Sequence, residues 1–207
     1  MAQLGQNMPV QTGGARGGPG NRTPVALEDV VKKEMSKCSW CREELELLLK
    51  YKDVVKRAVL NAIMKTRSCV LRYEYIYDEI YSLIDEDVAW SVENAFYTVL
   101  ASDALRIDDV VVYKIYVDED ESTNDIVIAL IGELLTEKQI EMLREIAELL
   151  ATKKYDRFGE EEEEFYDATP LGAYERVEVY TTLHNLVCSW TNCRNVIEEL
   201  EREEDKT

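Results

Sequence analysis

The spacing of apolar residues predicts that most of the first half of the chain is helical. Helical periodicity runs through residues 25–50. It is clearest over 52–65, where apolar residues recur every three or four positions and form one stripe along a helix. The neighbouring row of that helix, Arg57, Asn61 and Lys65, is polar and basic. We expect the apolar stripe to face a core and this row to face solvent.

The middle of the chain combines strand and helix signals. Residues 68–77 are rich in β-branched and aromatic side chains and predict a short strand that runs into a helix. Helical spacing returns over 87–105. Residues 110–117 and 126–131 predict two strands joined by an acidic loop, which makes a hairpin. The pattern therefore predicts an α+β fold, with a helical core and a small antiparallel sheet.

The order helix, strand, helix, helix, hairpin is also that of a winged-helix domain. In such a domain the third helix reads the major groove through Arg, Lys, Asn or Gln. Here its acidic residues are Asp85, Glu86, Asp87, Glu93 and Asp103, and no basic residue follows before Arg106. The hairpin loop is acidic as well. A winged helix with these residues would contact protein rather than duplex DNA, as an interaction module in transcription or assembly.

A capping-box pattern, Thr136 to Gln139, opens one more helix of the core. We expect the core to span 25–157 and an acidic linker to span 158–173, since five consecutive glutamates, a proline and glycines interrupt the apolar pattern there.

The last predicted element is a coiled-coil helix over 174–207, with an acidic end. Its apolar positions alternate in steps of four and three over three heptads. They are Val179, Leu183, Leu186, Trp190, Cys193, Ile197 and Leu200. We expect this seam to pair two copies of the chain into a homodimer; docking of the helix on its own core is the alternative.

Composition separates the N-terminal arm from the rest. Residues 1–24 are rich in glycine and carry two arginines, with too few apolar side chains to offset the entropy of ordering. No apolar run reaches the eighteen or so residues of a membrane span, and the first twenty residues lack a secretory signal. We therefore expect a cytoplasmic protein that does not contact membranes.

Charge is unevenly distributed along the chain. The net charge is −18, which argues against a protein that coats duplex DNA. Yet residues 50–72 contain seven of the 24 lysines and arginines, and the acids concentrate elsewhere. A local basic site is therefore compatible with an acidic total.

Basic and aromatic residues together predict a single-strand-binding surface, because cations follow the backbone and exposed rings stack on bases. The candidate residues are Lys52, Lys56, Arg57, Lys65, Arg67, Arg72, Tyr73, Tyr75, Tyr77, Tyr113, Lys114 and Tyr116. In a strand, Tyr73, Tyr75 and Tyr77 share one face. We expect sequence-independent binding of single-stranded DNA, or of RNA; the alternative is that these rings cover a core.

No catalytic motif is present, and we expect neither an enzyme nor a cofactor. The five cysteines form a C-x2-C pair, a C-x4-C pair and a single residue, Cys69. Four of them could hold zinc or an iron–sulfur cluster. The pairs lie about 150 residues apart on helical segments, however, so disulfides or buried thiols are the readings we favour. The single histidine, His184, lies beside the seam and is expected at the surface.

The whole layout resembles the ThermoDBP family, single-stranded DNA-binding proteins of hyperthermophilic archaea of the order Thermoproteales. The resemblance rests on the glycine and arginine arm (13–22), the basic and aromatic core, the glutamate run (160–164) and the zipper-like helix. It implies a dimer, held by the C-terminal coil, that binds single strands in a basic and partly hydrophobic cleft. No diagnostic motif matches residue by residue, so no family site is carried over.

Overall fold

A computed structural model describes residues 23–100, 104–118, 122–152, 173–204 and 206. The helices are α1 (Leu27–Lys37), α2 (Arg42–Lys50), α3 (Lys52–Thr66), α4 (Tyr73–Leu83), α5 (Glu86–Leu100), α6 (Glu137–Thr152), α7 (Ala173–Trp190) and α8 (Cys193–Glu204). The strands are β1 (Val25–Ala26), β2 (Val70–Arg72), β3 (Ala104–Ile107), β4 (Val110–Tyr116) and β5 (Ile126–Ile131). The fold is α+β, as predicted. The predicted arm (1–24) and linker (158–173) fall almost entirely outside the described residues.

The five strands form one mixed sheet in the order β1-β3-β4-β5-β2. All neighbours are antiparallel except β1 and β3, which run parallel. Consecutive residues of β4 and β5 are buried, so both faces of the sheet are covered. α5 and α6 both contact β4. α7 contacts β2, and α8 contacts β5.

Three strands and three helices follow the winged-helix order that the sequence analysis gave as a possibility. α3, β2, α4 and α5 precede β4 and β5, and the strands lie in the order β2-β5-β4. β3 was not predicted. It forms a tight hairpin with β4 through Asp108, whose φ of 54° is left-handed. The predicted helix over 87–105 was therefore too long, since α5 ends at Leu100.

The aromatic stretch after β2 is a helix and not a strand. α4 begins at Tyr73, directly after β2, and the Tyr73 N–H donates to the Asp125 carbonyl oxygen at 2.9 Å. Side chains two positions apart point in different directions on a helix. The prediction that Tyr73, Tyr75 and Tyr77 share a face is therefore wrong.

The helical prediction over 25–50 also covers two helices, α1 and α2, which are separated at Cys38–Cys41. The predicted capping box of α6 is confirmed: Thr136 N–H donates to Gln139 Oε1 at 2.9 Å, and Gln139 N–H donates to Thr136 Oγ1 at 3.3 Å. None of the described helices is long and apolar enough to cross a membrane.

The predicted continuous C-terminal helix is two helices, broken at Thr191 and Asn192. Asn192 N–H donates to Glu133 Oε2 at 2.7 Å, and Thr191 Oγ1 donates to the Val187 carbonyl oxygen at 2.8 Å. These bonds fold α8 back against α3 and β5.

The predicted dimer seam is used within the chain. Val179, Leu183, Cys193 and Ile197 are buried in the common core, and Leu186, Trp190 and Leu200 pack partly against it. Cys193 is joined to Cys69 by a disulfide, and so cannot pair with its counterpart in a second copy. Self-association through this seam would require α7 and α8 to leave the core.

Candidate functional site

The basic residues at the start of α3 are held by acids from other elements. Lys52 Nζ lies 2.9 Å from Glu28 Oε1 and 3.0 Å from Asp108 Oδ1. Lys56 Nζ lies 2.5 Å from Asp109 Oδ1. The hydrogen bonds to Glu28 and Asp108 raise the pKa of Lys52, and the bond from Lys52 lowers the pKa of Asp108. These cations therefore join α3 to α1 and to the β3–β4 turn.

In the row of α3 that was predicted to face solvent, Arg57 and Lys65 are exposed, whereas Asn61 is half-buried toward α4. Asn61 Nδ2 donates to Glu79 Oε2 at 3.0 Å, and Lys65 Nζ pairs with Glu79 Oε1. Glu79 is only 5% exposed, so it needs these partners. The outward orientation therefore holds for Lys65, whose side chain is 63% exposed although its Nζ reaches Glu79, and fails for Asn61, whose amide is held by an acid on another helix.

The three arginines of the candidate site differ in their surroundings. Arg72 pairs with Glu74 Oε2 at 2.8 Å and donates to Asn124 Oδ1 at 2.7 Å. Arg67 pairs with Glu201 Oε1 at 2.6 Å, yet 73% of its side chain is exposed. Arg57 is exposed and forms no ion pair with any residue that the structure describes. Arg57 and Arg67 are the cations of the candidate set most accessible to a ligand.

Lys114 belongs to a buried network rather than to a surface. Its Nζ lies 3.2 Å from Asp125 Oδ2 and 3.7 Å from the centre of the Tyr97 ring. Asp125 is fully buried and also accepts hydrogen bonds from the Tyr97 hydroxyl and the Asp118 N–H, both at 2.8 Å. Lys114 therefore neutralises a buried carboxylate at the base of the hairpin formed by β4 and β5.

Most of the candidate tyrosines are not available for stacking. Tyr73 and Tyr113 are buried in the core, where burial raises the pKa of both phenols. Tyr77 stacks on Tyr81, and Tyr116 is half-buried. Tyr75, at 41% exposure, is the candidate ring most open to solvent. The expected stacking surface is therefore not assembled.

A different surface stands out on α5, the helix that occupies the recognition position of a winged helix. Asp85, Glu86 and Asp87 at its start are exposed, and Trp90 is 57% exposed one turn later. Sequence reasoning identified the acids but missed Trp90. The signal was available, because Trp90 lies off the apolar row that contains Val92, Phe96 and Val99.

An open cleft of about 470 Å³ adjoins this surface at the corner between α4 and α5. Its lining residues are Tyr51, Ser82, Leu83, Ile84, Asp85 and Val88. The carboxyl group of Glu93, on the same helix, is directed inward instead. Burial raises its pKa, and it accepts a hydrogen bond from the Tyr73 hydroxyl at 2.9 Å.

The cysteines occupy two separate places. Cys38 and Cys41 form a disulfide between α1 and α2, beside Trp40, which is 85% exposed. The disulfide between Cys69 and Cys193 lies in the core, next to Cys188 and His184. His184 is half-buried rather than at the surface. Burial, together with the nearby Arg194, lowers the pKa of its imidazole.

No family model matches the chain, and no curated protein or solved structure is detectably similar to it. The functional proposal therefore rests on the fold and on the surfaces described above.

Proposed function

We propose that the protein is an interaction module that binds a basic segment of a partner protein through the exposed face of α5. The observation that carries the proposal is the composition of that face: Asp85, Glu86 and Asp87 followed by Trp90, with no lysine or arginine anywhere in Glu86–Leu100.

Charge argues that the partner is not duplex DNA. Phosphate contacts require lysine or arginine, and a recognition helix bearing only acids repels the backbone. The sequence that joins β4 to β5 is acidic too, since residues 118–121 are all aspartate or glutamate. A lysine- or arginine-rich segment has the complementary charge, which favours its encounter with this face.

Trp90 gives the face an apolar anchor. Tryptophan is among the residues most enriched at the energetic centres of interfaces, where truncation often costs about 2 kcal/mol or more. A largely exposed tryptophan has no packing role that accounts for its position. The acids would therefore steer and orient the basic segment, and Trp90 would supply most of the contact energy.

Fluorescence anisotropy of a labelled oligolysine peptide tests the proposal. The variant Asp85→Asn, Glu86→Gln, Asp87→Asn removes three charges from α5. Its matched control, Glu141→Gln, Glu145→Gln, Glu199→Gln, removes three exposed charges from α6 and α8. At about 0.5 kcal/mol for each exposed contact, we expect a roughly tenfold loss for the first and less than about twofold for the second.

Trp90→Ala should also lower the affinity for the oligolysine peptide. The salt dependence of binding should stay unchanged, because no charge is removed. Trp40→Ala, which removes another exposed tryptophan, is its control. Equal losses in the two triple variants, or an unchanged affinity for Trp90→Ala, would place the binding face elsewhere.

Single-strand binding is the second candidate, favoured by the exposure of Arg57, Arg67 and Tyr75 and by the resemblance of the layout to the ThermoDBP proteins. Titration of labelled oligo-dT and oligo-U at two salt concentrations tests it. Arg57→Ala with Arg67→Ala should lower affinity and flatten the salt dependence by roughly 0.7 for each lost phosphate contact. The control replaces two other exposed arginines, Arg42 and Arg106, by alanine.

The dimer that the resemblance implies also stays a prediction. Sedimentation of the full chain across a range of concentrations measures it directly.

A further inference from the structure

We propose that, when its cysteines are reduced, the protein binds one zinc ion through Cys69, His184, Cys188 and Cys193. This site is separate from the surface proposed on α5, since it lies at the junction of β2, α7 and α8.

Three of the four donors already lie together. His184 and Cys188 are four residues apart on α7 and so project from one face of that helix. The break at Thr191 and Asn192 brings Cys193, the first residue of α8, back to the same place. Ligand atoms of His184, Cys188 and Cys193 all lie within 4.8 Å of one another.

The distance between two donors matches the edge of a tetrahedral zinc site. Zinc binds cysteine sulfur at about 2.3 Å and histidine nitrogen at about 2.0–2.1 Å, so a tetrahedron places the two donors roughly 3.6 Å apart. Cys188 Sγ lies 3.5 Å from His184 Nε2. Cys188 Sγ also lies 3.8 Å from His184 Nδ1, so the thiol sits beside the ring, and the two side chains must rotate for both to reach one metal ion.

Cys69 supplies the fourth donor. It precedes β2 and is bonded to Cys193, with the two Cα atoms 6.1 Å apart. Both cysteines are 1% exposed. Reduction leaves the Cys69 and Cys193 thiols facing each other, and of these two Cys193 is already clustered with His184 and Cys188. Rotation of the freed Cys69 side chain toward that cluster completes a Cys₃His set, which is a common structural zinc site.

A hydrogen bond outside the donor set orients the histidine. Ser68 Oγ lies 2.9 Å from His184 Nδ1, and it is itself fixed by the Val70 N–H at 3.0 Å. With Nδ1 occupied in this way, Nε2 is the nitrogen left to bind the metal. Zinc-binding histidines are typically held by such a bond on the other ring nitrogen.

The disulfide and the metal exclude each other, because they use the same sulfurs. A dithiol such as dithiothreitol transfers two electrons and two protons to the Cys69–Cys193 bond and itself becomes a cyclic disulfide. Zinc then displaces the protons of the three thiols, which bind as thiolates. The site therefore has an oxidised, closed state and a reduced, metal-binding state.

The sequence concealed this set because its members come from different parts of the chain. The C-x2-C and C-x4-C pairs were grouped as one possible site, whereas Cys38 and Cys41 form their own disulfide. His184 and the single Cys69 were set aside. Only the packing of α7 against β2, together with the return of α8 onto the core, brings His184, Cys188 and Cys193 close to Cys69.

Cobalt titration of the full-length protein, reduced and freed of metal, tests the proposal. Tetrahedral Co²⁺ bound by thiolates absorbs visible light and is displaced by Zn²⁺. We expect one Co²⁺ per chain in the reduced protein and none in the oxidised protein. Cys188→Ser and His184→Gln should each lower affinity by roughly tenfold to a hundredfold or more, by analogy with losses at supporting residues.

The double variant Cys38→Ser, Cys41→Ser is the matched control, since it removes two cysteines outside the cluster. It should bind Co²⁺ as the parent does. Absence of thiolate-bound Co²⁺ in the reduced parent, or loss of binding in this control but not in Cys188→Ser, overturns the assignment.

A melting experiment covers the case in which reduction alone unfolds the chain. Cys188 is in neither disulfide, so the Cys188→Ser variant keeps the oxidised fold. In the reduced parent, Zn²⁺ at a hundredfold excess over its Kd should raise the melting midpoint by roughly 5–10 °C, and the Cys188→Ser variant should show a smaller rise. A reduced parent that stays unfolded with Zn²⁺, or equal rises in both proteins, also overturns the assignment.

Discussion

Replacement of Lys114 by methionine should destabilise the protein strongly. The substitution keeps most of the side-chain volume and removes the charge beside Asp125, which has no exposed surface. At the observed 3.2 Å and an effective dielectric constant of 20, the attraction between the two charges is about 5 kcal/mol. Removal of one partner of a buried pair typically costs about 3–5 kcal/mol, because the other charge is left uncompensated.

The pair can be separated from its surroundings by a double-mutant cycle. Asp125→Asn keeps one carbonyl oxygen for the Tyr97 hydroxyl or the Asp118 N–H, and leaves Lys114, whose side chain is 10% exposed, near a route to solvent. The double variant should therefore lose less free energy of unfolding than the two single variants together. The expected coupling lies within the range of about 0.5–3 kcal/mol seen for residues in contact.

Urea unfolding at neutral pH measures each free energy of unfolding, and an unchanged m value shows that the transitions are comparable. For a chain of this size, a loss of 3–5 kcal/mol corresponds to a fall of roughly 6–20 °C in melting midpoint. Lys32→Met is the control, because its side chain is 75% exposed and its pair with Asp29 is 4.0 Å long. A cost below about 1 kcal/mol for Lys114→Met, or strict additivity in the cycle, would refute the reasoning.

Three further outcomes are expected. Burial raises the pKa of Glu93, so its contribution to stability is present below the ordinary glutamate pKa and is lost as pH rises through the folded pKa; Glu93→Gln should therefore gain stability relative to the parent as pH rises through that range in urea titrations. Arg67→Ala should change the free energy of unfolding by less than about 0.5 kcal/mol, because the ion pair is largely exposed. Deletion of 173–207 should abolish cooperative melting, since it removes the buried Leu183 and Cys193.

The sequence predicted those elements whose signal is local. The β4–β5 hairpin, α3 and the capped helix α6 appear where apolar periodicity and the Thr136–Gln139 pattern placed them. β1 and β3 were missed because each is short and their pairing joins residues 80 positions apart, Val25 with Leu105. A strand of two residues has no periodicity to detect. The α+β class was therefore predictable, whereas the full sheet was not.

The candidate site failed for a related reason. Whether a lysine has a free charge to offer a ligand depends on acids that are distant in sequence, such as Glu28 for Lys52 and Glu79 for Lys65. Tyr73, Tyr75 and Tyr77 do not form one face because they lie in a helix and not in a strand. Tyr113 lies in a strand as predicted, but it is buried because both faces of β4 are covered. Each cation joined to an acid in this way stabilises the fold and also cancels part of the positive field that nucleic acid would need.

The C-terminal seam shows why a heptad pattern alone does not decide between pairing and docking. The same apolar stripe can cover a partner helix or the core of its own chain. Residues 153–172 connect α6 to α7, and the two helices contact each other. A short connection gives an effective concentration of about millimolar, so at micromolar protein a dimer contact must be roughly a thousandfold stronger to compete. The bend at Asn192 and the Cys69–Cys193 disulfide add to that advantage, and both favour docking within the chain.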